Sequence, residues 1–183
     1  MGVTFNDYNR YNGITKYPIN IISYLLNNND IIWKLLKYDT SNALSQPNLT
    51  KSQKSSLIYA GQTDETPYRV FTKALPNGAT ETAQTQLRVW LGRILPTNRV
   101  QGQVDIKIQV VSYNSILTLD TYENRNEVIL QQLISTLSQQ NIKGMTPLSF
   151  DQMGNGLDNN ASWYRMGEKW YEGYMLTMSC KVG

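Results

Sequence analysis

Residues 100–113, VQGQVDIKIQVVSY, decide the fold. Val104, Ile106, Ile108 and Val110 alternate with Asp105, Lys107 and Gln109. A period of two puts successive side chains on opposite faces of an extended chain, so this stretch predicts a long strand with one buried side. Downstream the period changes. In residues 126–137, NEVILQQLISTL, Leu130, Leu133, Ile134 and Leu137 recur at the i, i+3, i+4, i+7 spacing, and Ile142 falls near the same stripe. That spacing predicts an amphipathic helix, capped by Asn124 with Glu127 three residues on and ended by Gly144.

Working outward, Gln86 to Leu91 predicts a second strand, with Leu87, Val89 and Leu91 on one side and Gln86, Arg88 and Trp90 on the other. Tyr68 to Thr72 holds strand-forming residues after Thr66-Pro67, and Pro76-Asn77-Gly78 signals a turn. Towards the N-terminus, Pro18 suits a first helical turn and Ile22, Leu25 and Leu26 share a face. Asn27-Asn28-Asn29 interrupts that pattern. Asp30 is then the expected cap of a second helix with Ile31, Ile32, Leu35 and Leu36. Residues 39–50 read as loop, and Thr50 caps a short helix over 51–57. After the main helix, Leu148 and Phe150 suggest a short strand, and 151–162 reads as a Gly/Asn/Asp loop. Tyr174, Leu176, Met178 and Cys180 alternate in a closing strand. Residues 1–16 lack periodicity. They are expected to form an N-terminal arm, either a free tail or an arm lying on a neighbour, before a single domain over 17–183. The predicted class is α+β: a mixed, mainly antiparallel sheet with helices packed on one face.

Composition narrows the chemistry. The 183 residues contain no histidine and one cysteine, Cys180. A transition-metal site and an internal disulfide are therefore not expected, nor is a cofactor. Charged residues make up 17%, against a typical quarter or so, and the net charge is +3. Such a surface is readily buried in a wet protein–protein contact. The opening residues carry no apolar run, no stretch approaches the ~20 apolar residues of a membrane span, and no membrane partner is expected.

No phosphate loop, dinucleotide fingerprint or nucleophile elbow occurs. Gly154-Asn155-Gly156, between Asp151 and Asp158, lacks the ordered oxygen ligands of a calcium loop. Glu123 and Glu127 lie one helical turn apart, where acids complement the helix dipole more readily than they catalyse. Cys180 sits in an apolar alternation without a histidine to activate it. No catalytic residue is expected. Arg88, Arg93, Arg99 and Lys107 cluster around two strands. They could line a channel through which DNA passes without sequence readout, or form a solvated face. Tyr8, Tyr11, Trp163, Tyr164 and Trp170 are candidate subunit-interface residues, since aromatics among few charges are enriched at interface hot spots; core is the competing reading for the tryptophans.

The strand 100–113 running into the helix 126–137, the LSF segment at 148–150, and the ending WYRMGEKWYEGYMLTMSCKVG at 163–183 together resemble the tail-terminator and tail-completion proteins of long-tailed phages. The resemblance covers roughly the second half of the chain and rests on layout. The polar insertions of the first half are longer than in compact terminators. What it implies is a structural virion protein, assembled in the host cytoplasm into a homo-oligomeric ring, commonly a hexamer with a dodecamer as the alternative. Such a ring joins the tail tube to neck or connector proteins and lets DNA pass through its lumen. Another neck, adaptor or baseplate subunit is the alternative, and a carboxylate-based hydrolase a remoter one.

Overall fold

The computed structural model of the chain describes residues 11–74, 83–98, 101–150, 161–166 and 171–182, with the backbone alone at 164–166. Among these residues four α-helices occur: α1 (Tyr17–Asn28), α2 (Asp30–Lys37), α3 (Lys51–Ser56) and α4 (Arg125–Leu137). Five strands form one sheet: β1 (Val70–Phe71), β2 (Thr85–Pro96), β3 (Gly102–Tyr113), β4 (Ala161–Met166) and β5 (Tyr171–Val182). The order across the sheet is β1-β2-β3-β5-β4. Only β1–β2 is parallel; the other three pairings are antiparallel. The fold is α+β, as the periodicities predict.

Register explains the core. Leu87, Val89 and Leu91 stand opposite Val110, Ile108 and Ile106, which in turn stand opposite Tyr174, Leu176 and Met178. This places every apolar alternation on one side of the sheet, where α1, α2 and α4 cover it. Ile106 and Ile108 are fully buried, and burying each isoleucine stabilises by about 1.5–3 kcal/mol. Trp33 of α2 is also fully enclosed, and its indole N–H donates to the Leu25 carbonyl at the end of α1 at 3.0 Å. A buried tryptophan thereby satisfies its one donor.

Several boundaries differ from the sequence reading. The cap of α2 is Asn29, not Asp30. The Asn29 side-chain oxygen accepts the Ile32 amide, while its amide nitrogen donates to Gln132 and Thr136 of α4. Asp30 is instead the first helical residue, bonded to Lys54 of α3 at 2.6 Å. Thr50 caps α3 with a full capping box. Helix α4 stops at Leu137, seven residues before Gly144. Ser138 turns extended, Gln139 takes a left-handed φ of 59°, and its amide bonds the Leu148 carbonyl. Ile142 is buried from this turn, outside the helix. The segment 148–150 is no free-standing strand; Ser149 forms an isolated bridge with Ser179 and guards the outer edge of β5. Strand β4 replaces the end of the polar loop that the sequence predicts over 151–162. Residues 151–160 lie outside the described residues.

Candidate interaction surfaces

The opposite side of the sheet is polar, and its side chains are held by the register of β2, β3 and β5. Arg88 stands opposite Gln109, Trp90 opposite Lys107, Asp105 opposite Ser179, and Gln103 opposite Lys181. A register shift between Leu91 and Ile94 swings Arg93 onto the same side, where its Nε bonds Asp105 Oδ2 at 3.2 Å. A bulge of this kind redirects a side chain that alternation would have placed on the other face. Four cations (Arg88, Arg93, Lys107 and Lys181) therefore share this face with one carboxylate, Asp105, among the described residues.

They are not equally available. Arg88 is 5% exposed. Its guanidinium donates to Gln109 at 3.0 Å and Gln86 at 2.7 Å, and more weakly to the Ala74 carbonyl. Its donors are thus taken up inside the chain, and Arg88 is too buried to present itself to a lumen. Asp105 is buried and accepts from both Arg93 and Gln103. Lys107 is half-buried, with Nζ 2.7 Å from Thr177 Oγ1. Arg93 and Lys181 reach solvent. The alternation of β2 and β3 suggested one solvated side; instead Gln86, Arg88, Asp105 and Gln109 are all buried. Arg99 lies outside the described residues.

The second surface is the outer strand. Trp163 of β4 is 53% exposed. It stands opposite Tyr174 of β5, which puts it on the helix-covered side. The Tyr174 hydroxyl donates to Glu127 Oε1 of α4 at 3.1 Å. Burial, then the Glu127 carboxylate, pushes the Tyr174 phenol above its ordinary pKa. On α4 itself, Glu127, Leu130, Gln131, Ile134 and Ser135 line an open depression of about 360 Å³. Tyr11 is half-buried against the core rather than displayed. Tyr164 lies opposite Gly173, and only its backbone is described. Tyr8 and Trp170 lie outside the described residues.

The groups with reactive potential sit in structural roles. Cys180 is buried, and burial followed by the Asp105 charge pushes its thiol up to about 12. Glu123 precedes α4 and accepts from Thr121, while Glu127 holds Tyr174, so the two carboxyls serve different partners. Among the described residues no cluster of three His, Cys, Asp or Glu could hold a metal ion, and no helix is long and apolar enough to cross a membrane. Gly154-Asn155-Gly156 lies outside the described residues.

Sequence reasoning missed a heavily engaged polar residue. Arg125, fully buried, donates to the carbonyls of Ile116, Leu35, Tyr38 and Thr40 at 2.6–2.9 Å. It ties the start of α4 to the end of α2. Nearby, Asp39 pairs with Arg69 at 3.3 Å; burial raises its carboxyl pKa, and Arg69 and Arg125 offset part of that rise. Nothing in a lone arginine after an N-cap distinguishes it from a surface cation.

The family model described as YomW, a phage-derived family named after a Bacillus prophage gene, matches residues 28–180. That span runs from the end of α1 into β5 and takes in the whole sheet up to Cys180. Among curated proteins, none matches the chain.

Proposed function

The chain belongs to the YomW family, a phage-derived family, and from that premise we propose that it is a structural virion protein of a tailed phage. It assembles as a ring at the tail–neck junction, where it ends the tail tube and joins it to the head. The family match over 28–180 supports the phage association from which this reading starts. The surface supports it. Trp163 displays half its area on the edge strand β4, and the half-buried Leu130 and Ile134 line an open depression on α4. Large aromatics placed this way serve as anchors of subunit contacts.

Head-to-tail contacts close into rings when the rotation between neighbours closes. The β4 edge of one copy is one flank of such a contact. Beyond its pairing with β1 at Leu87 and Arg88, β2 offers the opposite flank. The experiment is sedimentation of the purified chain alone and with tail tubes. Tube-bound rings capping the ends support the reading. Chains that bind along neither tubes nor connectors contradict it. Cross-linking inside intact particles separates the tail-end position from a neck, adaptor or baseplate one.

A further inference from the structure

The polar face of the sheet presents Arg93, Lys107 and Lys181 within three adjacent strands, with Trp90 level with Lys107 and the Asp105 carboxylate beside Arg93. We propose that this face binds the phosphate backbone of duplex DNA. The charge pattern carries the inference. The helix-covered side of the sheet is apolar, and the chain as a whole is only +3. Yet among the described residues the accessible charges of the polar face are three bases, Arg93, Lys107 and Lys181, and its acid, Asp105, is already taken. Asp105 lies buried under Arg93 and Gln103, 3.2 and 3.1 Å away. Arg93 keeps 47% of its side chain exposed while holding Asp105 through Nε. Lys107 bonds the neutral Thr177 hydroxyl and retains its full charge. Lys181 is exposed one strand away, opposite Gln103.

The arrangement suits a regular polyanion rather than one small anion. The three cations come from three neighbouring strands, and strands lie about 4.8 Å apart. Phosphates along one strand of a duplex recur at intervals of several ångströms, and such contacts position a protein without reading sequence. Trp90, half-buried, stands beside Lys107 on the same face. This inference extends the ring reading by naming which face meets DNA. It does not need the ring to exist, since each copy carries the complete patch.

The test is fluorescence anisotropy of a labelled random-sequence duplex titrated with the full-length chain at several salt concentrations. Three phosphate contacts predict a slope of about −2.7 in log K against log salt, an affinity loss of about fortyfold between 50 and 200 mM. The variant Lys107→Gln/Lys181→Gln leaves the Arg93–Asp105 pair intact and should reduce the slope by about 1.8. A charge-matched control, Lys37→Gln/Lys143→Gln, alters two exposed lysines away from this face and should leave the slope unchanged. Equal losses in the two variants would show that net charge alone governs binding and overturn the proposal. So would an unmodified chain that fails to bind at low salt. Tube capping by the Lys107→Gln/Lys181→Gln variant, measured in parallel, separates failure of the DNA face from failure of the ring.

Discussion

Replacing Arg125 with methionine should cost about 4 kcal/mol of folding stability. The side chain is fully buried and its guanidinium serves four carbonyls. Methionine keeps the aliphatic packing and removes every donor. The bonds to Ile116 and Leu35 are buried; those to Tyr38 and Thr40 are partly so, and their carbonyls can recover water. A buried acceptor left without a partner costs about 1–3 kcal/mol, so two of them give about 4 kcal/mol. For a chain of this length each kcal/mol lowers the melting temperature by about 2–4 °C, so the transition should fall by about 8–16 °C. Urea unfolding should report the same loss with an unchanged m-value. Arg125→Lys retains the charge but has one nitrogen to replace three, and should fall about midway. The reasoning fails if Arg125→Met unfolds within about 1 kcal/mol of the parent chain. That outcome would mean that desolvating the guanidinium cancels all four bonds.

Three further outcomes follow from the same structure. Asp39 has a folded-state pKa raised above 3.8 by burial, so its stabilising contribution is fully present below pH 3.8 and is lost as pH climbs through the raised value. Relative to Asp39→Asn, the parent chain should therefore gain stability between pH 6 and 3.5, and a flat or reversed difference would reject this. Cys180, with its thiol pushed to about 12, should resist alkylation at pH 8 until the chain unfolds; rapid labelling of the native chain would contradict its burial. At Gly173 an added Cβ would lie 1.8 Å from the Val110 carbonyl oxygen, so Gly173→Ala should forfeit about 2 kcal/mol or more by forcing β5 away from β3. A melting temperature equal to the parent's would show that the strands are not so closely apposed.

The sheet was legible where one physical requirement dominated. β3 and β5 turn apolar side chains to the helices and mostly polar ones to the other side, so alternation appears directly in Val104 to Val110 and in Leu176 to Cys180. The face of α4 was equally plain. Its end was not, because Ile142 is buried by a turn at Gln139 that brings Leu148 back to the sheet, and a buried residue beyond a helix looks like one more residue of the stripe. β4 was hidden by its neighbourhood: Ala161, Ser162 and Trp163 carry no alternation, and their pairing comes from the partner strand. The basic cluster was half legible. Spacing brought Arg88, Arg93 and Lys107 together in sequence, but alternation alone would have put Arg93 on the opposite side. Only the bulge places it beside Asp105, and only burial removes Arg88 from the exposed set. Lys181 escaped notice because it is distant in sequence and adjacent only through β3–β5 pairing.

The most direct test of the central claim is the mass and symmetry of the assembly this chain forms on its target, measured by native mass spectrometry and particle imaging. The account predicts a closed ring at the end of the tail tube, with a mass that is a whole multiple of 20.9 kDa, six copies being the expected number. A lone subunit at that position, or a chain missing from the particle altogether, would contradict it.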